Sequence, residues 1–172
     1  GTLRAEAYDS DGMKIPENKL QGRTQVKTTE PASRLSLSAD RTSIQADGKE
    51  LSYITIDVTD RNGDLVNGAE PTITLDITGD GKIIGVDSGA QFDHTSNQSL
   101  TWKAFHGKLL AIVQSTTNAG NFTVTAKADA DGMVSDSVTV QTTPVAAAGA
   151  EKTVSSLEYS RTYYVQVGSE PV

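Results

Sequence analysis

The stretch DVTDRNGDLVNGAEPTITLDITG, residues 57–79, contains the pattern from which the fold is predicted. On both sides of Arg61–Asp64, apolar residues alternate with threonine and aspartate. Alternation with a period of two residues is typical of a strand that has one buried and one wet face. Asn62 and Gly63 tolerate the backbone conformations that a tight turn requires. The stretch therefore predicts two strands joined as a hairpin.

The same alternation recurs on either side of this stretch, in residues 35–37, 54–58, 73–77, 122–126 and 138–140. Leu109–Val113 is continuously apolar, which predicts a central strand covered on both faces. Turn dipeptides separate the runs: Asp47–Gly48, Asn62–Gly63, Asn67–Gly68, Asp80–Gly81, Ala119–Gly120 and Asp131–Gly132. No segment has convincing helical spacing. About seven strands between residues 33 and 143 predict an all-β protein, an immunoglobulin-like antiparallel β-sandwich.

The two ends of the chain differ from this middle part. Residues 1–31 predict one strand over Thr2–Tyr8 and another near Thr24–Lys27, which form either the end of a preceding module or an extra hairpin. A lone hairpin is marginally stable in water. Residues 144–172 begin with the small-residue run PVAAAGA, which is typical of a flexible linker, and are expected to lead into a following immunoglobulin-like module. Both flanking segments are predicted to be less ordered than the sandwich over 33–143.

Composition excludes several classes of protein. Hydrophobic residues make up 36% of the chain and aromatic residues only 5%, so the core is expected to consist of small aliphatic side chains. The net charge of −7 disfavours nucleic acid as a partner, because phosphate backbones repel an acidic surface. The absence of cysteine excludes thiol nucleophiles, disulfides and cysteine zinc sites. No apolar run approaches the ~18 residues that a membrane-spanning helix needs, so no membrane insertion is expected.

Several runs of sequence carry a resemblance to a known family. Residues 38–70, SADRTSIQADGKELSYITIDVTDRNGDLVNGAE, resemble bacterial immunoglobulin-like repeats, including those of invasin-type adhesins. GDGKIIGVDSG (79–89), KAFHGKLLAIVQS (103–115) and NAGNFTVTAKADADGM (118–133) narrow the match. Together they resemble the immunoglobulin-like module C-terminal to the catalytic barrel of bacterial family 2 glycoside hydrolases, chiefly β-galactosidases.

The resemblance implies a non-catalytic piece of an exported, multidomain glycosidase. The opening LRAEAYDSDGMKI is similar to the end of the preceding module of such enzymes, and LEYSRTYYVQVGSEPV to the lead into a further domain. The implied location is extracellular, or anchored in the cell wall at the bacterial surface. The implied partners are neighbouring domains of the same chain.

Candidate catalytic residues are scarce. The resemblance implies two catalytic glutamates, with the acid/base directly after an asparagine, and retaining glycosidases need the two carboxyl groups about 5 Å apart. None of the eight glutamates follows an asparagine: Glu6, Glu17, Glu30, Glu50, Glu70, Glu151, Glu158 and Glu170. The sequence also has no G-x-S-x-G nucleophile motif, and its two histidines, without cysteine, make a poor zinc site. We therefore expect no catalytic residue, cofactor or metal in this chain.

Three aspartate-rich loops begin like calcium loops: Asp9–Gly12, Asp60–Gly63 and Asp129–Gly132. None of them continues to the glutamate that an EF-hand places at its twelfth position. Turn chemistry explains the same residues, because aspartate side chains accept hydrogen bonds from backbone N–H groups within turns.

The loop over residues 87–106 is the strongest candidate for a ligand site. It contains Phe92, His94, His106 and Trp102, the only tryptophan. These residues could stack on sugar rings and bind hydroxyl groups, which would make the chain a carbohydrate- or surface-binding, adhesin-like module. Alternatively, Trp102 is a core residue and the chain is a structural spacer. A buried Trp102 favours the spacer, and an exposed one beside polar groups favours glycan binding.

Overall fold

The computed structural model describes residues 1–20 and 24–145, and its regular secondary structure is almost entirely β-strand. A two-stranded ribbon comes first, with β1 (Thr2–Arg4), a short 3₁₀ helix (Glu17–Lys19) and β2 (Gln25–Lys27). The sandwich follows and contains nine strands: β3 (Arg34–Ala39), β4 (Ser43–Gln45), β5 (Leu51–Thr59), β6 (Thr72–Gly79), β7 (Gly81–Asp87), β8 (Thr101–Lys103), β9 (Lys108–Ser115), β10 (Gly120–Ala128) and β11 (Asp136–Thr143).

The nine strands form two sheets. One sheet has the order β3-β5-β9-β7 and the other β4-β11-β10-β6-β8. When the short strands β4 and β8 are left out, seven strands remain. Counted in chain order, the first, second, fifth and fourth form one sheet, and the third, sixth and seventh form the sheet that faces it. This is the arrangement of an immunoglobulin fold. The predicted immunoglobulin-like sandwich is confirmed. β4 and β8 are the two strands beyond the predicted seven, and with three residues each they are too short to show alternation.

The core lies between the sheets and is aliphatic, as the composition predicts. Inward-facing residues of the central strands are fully buried, including Ile54, Ile56, Ile73 and Val124. Phe122 on β10 is the largest of these fully buried side chains. Threonines occupy many outward positions, and Thr123 on β10 forms a 2.8 Å hydroxyl hydrogen bond with Thr139 on β11. Each strand has one buried and one solvent-exposed face, which produces the observed alternation.

The hairpin predicted within residues 57–79 is wrong in one respect. A tight turn does form at Asn62–Gly63, and Gly63 has a φ of 85°. However, β5 pairs with β3 and β9, whereas β6 pairs with β10 and β8, so the connection crosses from one sheet to the other. Alternation reports only that a strand has one buried face. Two strands that face each other across the core therefore alternate in the same way as two paired neighbours.

The prediction for Leu109–Val113 is half right. This segment lies in β9, which is central between β5 and β7. Leu109, Ala111 and Val113 face the core, whereas Leu110 and Ile112 are only half-buried on the outer face, across from Thr55 and Tyr53. An apolar run therefore did not require a second covering layer here.

The N-terminal ribbon is shorter than predicted. β1 ends at Arg4, and the rest of the predicted Thr2–Tyr8 strand contributes only an isolated bridge between Tyr8 and Lys14. β2 falls within the predicted Thr24–Lys27. Whether residues 1–31 end a preceding module or form an extra hairpin stays a prediction. The predicted linker and lead into a following module lie, from residue 146 onward, outside the described residues.

Candidate functional site

The candidate ligand loop is anchored by its tryptophan. Trp102 lies on β8, opposite Ile73 of β6, and this register turns its side chain into the core, where it is only 3% exposed. Its indole N–H donates a 3.3 Å hydrogen bond to the carbonyl oxygen of Ser96. The loop is also attached to β7, because the N–H of Val86 donates to the carbonyl oxygen of Asn97 at 2.7 Å. Trp102 is therefore a core residue beneath the loop.

Phe105 brings two of the four candidate residues together at the surface. Phe92 contacts Phe105 edge to face, with ring centroids 5.6 Å apart, and Phe105 lies 4.1 Å from the ring of His106. The side chain of Phe92 is 72% exposed, and His106 is exposed at a turn where its own φ is 50°. We call Phe92, Phe105 and His106 the aromatic cluster. Phe105, whose ring lies between the other two, was not among the four predicted ligand residues.

His94, the remaining candidate, is exposed in the same loop. The neighbouring Asp93 accepts a 2.8 Å hydrogen bond from the backbone N–H of Thr95. Hydrogen bonds from the side chain and backbone of Thr95 hold the pKa of the Asp93 carboxyl below its usual range. The loop conformation is thus set by its own turn hydrogen bonds.

The described glutamates do not converge. Each is engaged at the surface with a different partner: Glu6 with Lys14, Glu17 with Arg4, Glu30 with Arg61, Glu50 with the backbone N–H of Gln45, and Glu70 with Lys103. For Glu6 the hydrogen bond from Lys14 lowers the pKa of the carboxyl, opposite to the raised pKa of a general acid. Glu151, Glu158 and Glu170 lie outside the described residues. The arrangement of the described five provides no acid/base pair.

The three calcium-like loops use their aspartates to close turns. Asp9 Oδ1 accepts the N–H groups of Asp11 and Met13 at 3.0 and 2.8 Å. Asp129 Oδ1 accepts the N–H of Thr72 at 3.2 Å. Within residues 1–20 and 24–145 there is no group of three or more histidine, aspartate or glutamate side chains placed to bind a metal ion.

Asp60 is the most enclosed of these aspartates, and its relative exposure is 0%. One carboxylate oxygen accepts the backbone N–H groups of Asn62 and Asp64 at 2.8 and 3.0 Å. The other oxygen accepts the N–H of Glu30, in the segment joining the ribbon to the sandwich, at 2.9 Å. Arg61 also donates a 2.8 Å hydrogen bond to Glu30. Asp60 therefore attaches the preceding segment to the sandwich, a role that the turn motif alone did not indicate.

We expect Asp60 to make the stability of the sandwich depend on acid. The hydrogen bond from Glu30, followed by those from Asp64 and Asn62, lowers the pKa of this carboxyl below the ordinary 3.8. Because the pKa is lower in the folded state, the stabilisation is fully present above pH 3.8 and is lost as the pH falls through the folded-state pKa. Asp60→Asn is expected to reduce stability at neutral pH and to weaken this acid dependence.

The measurement is urea unfolding of both proteins at a series of pH values between about 3 and 6. Asp131→Asn, an exposed turn aspartate before Gly132, is the matched control and should follow the wild type. Equal acid dependence in wild type and Asp60→Asn would show that Asp60 is not the group responsible.

Two grooves on the described part of the surface each contain a single carboxylate. A groove of about 620 Å³ lies between the β2 end of the ribbon and the β5–β6 loop and has Asp64 as its only carboxylate. A second, of about 520 Å³, lies on the outer face of the four-stranded sheet beside Leu110 and Ile112, with Asp87 as its only carboxylate. Neither has the two carboxyl groups that glycoside hydrolysis requires. None of the helices in the described part of the chain is long and apolar enough to cross a membrane.

Known proteins resemble this chain over most of its length. Residues 35–139 match the family described as "Glycoside hydrolase family 2 C-terminal domain 5". A β-galactosidase of Bacteroides ovatus is 29% identical over 129 residues, which are 75% of this chain and 14% of that protein. A family 2 glycosyl hydrolase from Bacteroides cellulosilyticus superposes with a TM-score of 0.74 at 32% identity, over 82% of this chain and 18% of that one.

A β-glycosidase from Bacteroides vulgatus has a TM-score of 0.67 at 24% identity, over 74% of this chain and 16% of that chain, which shows the shared fold alone. This chain thus spans less than a fifth of the length of these relatives. The matched residues 35–139 cover the sandwich from β3 into β11. The chain belongs to the family of glycoside hydrolase family 2 C-terminal domain 5.

Proposed function

We propose that this chain is a non-catalytic spacer module of an exported, multidomain glycoside hydrolase of the β-galactosidase type. The observation that carries the proposal is the position of the two points at which the chain enters and leaves the sandwich. The chain reaches the sandwich at Ser33, whose N–H donates to the carbonyl of Thr59, and leaves it after Thr143, beside Gln45. We call these ends the proximal pole (Ser33, Thr59, Val134) and the distal pole (Gln45, Asp80, Thr143).

The separation of the poles follows from strand geometry. Val134 pairs with Arg34 at the proximal pole, and β11 then runs to Thr143 at the distal pole. Nine steps of extended chain, at about 3.3 Å each, span roughly 30 Å. A module with its ends at opposite poles holds the domains before and after it apart by that distance. At the proximal pole, the hydrogen bonds from Glu30 and Asn62 to Asp60 restrict the motion of the preceding segment relative to the sandwich.

The relatives support the enzymatic setting. The matched segment is a small part of a β-galactosidase and of a family 2 glycosyl hydrolase, so a larger enzyme with a separate catalytic domain is the proposed parent. The proposed location is outside the cell or in the cell wall at the bacterial surface. Neighbouring domains of the same chain are the proposed partners.

The test replaces residues 33–143 in the full-length enzyme with a glycine/serine linker. A spacer role predicts unchanged kcat/KM for a small soluble galactoside, and small-angle scattering should show that the flanking domains no longer keep a fixed separation. Lost turnover of the soluble substrate would instead indicate that the module supports the catalytic domain directly. Lost binding to polysaccharide with intact turnover would indicate a binding module.

A carbohydrate- or surface-binding role is the second candidate, and the exposed Phe92 is the observation that favours it. Its side chain is 72% exposed although aromatic, and Phe105 and His106 lie beside it. Aromatic side chains at binding sites combine a flat apolar face with nearby polar groups. Under this proposal Phe92 and His106 contact the sugar, His94 lies in the same loop, and Trp102 supports the loop from below. A glycan panel probed with wild type and Phe92→Ala tests it, and equal signals from both would contradict it.

Trp102 also offers a direct optical measurement. Because its side chain is 3% exposed, we expect blue-shifted emission and weak quenching by iodide in the folded chain. Unfolding in guanidinium should shift the emission to the red and expose the indole to iodide. Galactosides are expected to leave the emission unchanged, since the ring faces the core. Strong iodide quenching of the folded protein would contradict the burial of this residue.

A further inference from the structure

The first two strands of the sandwich run parallel to its last strand along one edge. β3 meets the segment leading into β11 through the parallel bridge between Arg34 and Val134. β4 then pairs in parallel with the end of β11 over Ser43–Gln45. Backbone hydrogen bonds outside the strands extend this contact: Val134 N–H to Ser33 O at 2.9 Å, Leu35 N–H to Val134 O at 2.9 Å, Gln141 N–H to Thr42 O at 2.9 Å, and Ala46 N–H to Thr143 O at 2.8 Å.

Two side chains supplement this backbone contact. Within β3, before the chain crosses from one sheet to the other, the backbone N–H of Leu37 donates to the carboxylate of Asp136 at 2.7 Å. Near the distal pole, the hydroxyl of Thr143 donates to the carbonyl oxygen of Ile44 at 3.2 Å. The segments 33–46 and 134–143 are thus joined near both poles, and we call this contact the terminal clamp.

The direction of the strands determines how the terminal clamp responds to tension. Force on the preceding domain pulls segment 33–46 toward the proximal pole, and force on the following domain pulls β11 toward the distal pole. The two segments are therefore drawn past each other along their own axes. Hydrogen bonds that lie across the direction of sliding share the load and must break together. When strands are instead pulled apart from one shared end, their bonds break one at a time and at lower force.

We propose that the terminal clamp makes this module a tension-bearing element, which resists stretching between its two poles. The inference rests on the proposed spacer function, because only a module joined to other domains at both poles is stretched in this direction. Resistance to tension goes beyond the spacer function, because a spacer could hold two domains apart and still unfold at low force.

The test pulls the same folded chain in two directions in a single-molecule force experiment. The chain contains no cysteine, so pairs of introduced cysteines provide unique attachment points. Pro31→Cys with Val145→Cys pulls from pole to pole and loads the clamp in shear. Lys49→Cys with Val145→Cys pulls from the distal pole alone, where the adjacent ends of β4 and β11 are opened in sequence. All three positions are exposed, so the attachments do not disturb the core.

We expect the pole-to-pole unfolding force to be several-fold higher than the force in the second direction. Since the rate of unfolding governs forced unfolding, the comparison measures the barrier in each direction and not the equilibrium stability. Equal forces in the two directions would overturn the clamp. They would leave the spacer function standing, because that function depends on the separation of the poles. Labels on the two introduced cysteines of the pole-to-pole variant measure this separation independently.

A matched pair of variants tests the side-chain contact. Asp136→Ala removes the acceptor for the Leu37 N–H within the clamp. Thr139→Ala removes a hydrogen bond on the same strand, but to Thr123 of β10 and outside the clamp. Thermal unfolding of both variants measures how far each substitution changes equilibrium stability. In the force experiment, Asp136→Ala should lower the pole-to-pole unfolding force, and Thr139→Ala should change it little. A larger loss of force in Thr139→Ala would contradict the assignment of Asp136 to the clamp.

Discussion

Phe122→Ala is expected to lower the free energy of unfolding by about 3–5 kcal/mol, the range for removing a large aromatic side chain from a packed core. Phe122 has a relative exposure of 0% and lies on β10, which is paired on both edges, with β11 and β6. Its ring is so closely surrounded that a Cβ added to Gly81 would lie 2.6 Å from it. The rigid strands around the ring cannot collapse fully into the space that alanine would leave.

The matched control for this prediction is Phe92→Ala, which removes the same side chain from a position that is 72% exposed. An exposed substitution of this kind is expected to change stability by no more than about 0.5 kcal/mol. Urea unfolding monitored by circular dichroism measures both variants. Similar losses at the two positions would contradict the assignment of Phe122 to the core and of Phe92 to the surface.

Gly79→Ala is expected to have the second large effect, because two costs act at the same position. Gly79 has a φ of 90°, where an L side chain is strained by roughly 1–2 kcal/mol. An added Cβ would also lie 2.2 Å from the carbonyl oxygen of Asn121, on the neighbouring strand β10. Relieving that overlap requires a backbone shift, which typically costs a further ~1–3 kcal/mol. The β6–β7 crossing therefore depends on glycine at this position.

Gly63→Ala separates the two costs. Gly63 has nearly the same φ, 85°, but a Cβ added there meets no atom within 4 Å. It should therefore lose only the backbone part, about 1–2 kcal/mol. Thermal unfolding of both variants gives the comparison. If Gly63→Ala were as destabilising as Gly79→Ala, the contact with Asn121 would have no energetic consequence.

The sequence predicted the aromatic cluster only in part, because its members meet through tertiary structure. Its members are 13 and 14 residues apart in sequence, from Phe92 to Phe105 and His106, and come together only because the β7–β8 loop folds back toward the β8–β9 turn. Trp102 lies within the same sequence window, yet its register opposite Ile73 directs it inward. The sequence named Phe92, His106 and Trp102 as candidates, but not Phe105. The pairing of β8 with β6 decided which of them reach the surface.

The hydrogen bonds of Asp60 and Asp136 could not be predicted from sequence patterns, because they also depend on tertiary structure. Each sits in an ordinary turn or strand context, so the local sequence indicates only a turn residue or a polar strand position. Their distinctive hydrogen bonds are to Glu30 and Leu37, which are 30 and 99 residues away along the chain. Contacts between residues so far apart leave no trace in local periodicity. They depend on which sheet edges lie side by side.

The pattern of amino acids was sufficient to predict where most strands lie, which of their residues face inward, and that the two sheets form an immunoglobulin-like sandwich. These features depend on the period-two alternation of apolar residues, which acts within a few residues of chain. Packing in three dimensions was needed to establish that β5 and β6 belong to different sheets, that Trp102 is buried, and that the first and last parts of the sandwich run parallel from pole to pole. An apolar side chain needs only an apolar neighbour, whichever sheet provides it, so the partner is selected by the packing of the whole sandwich.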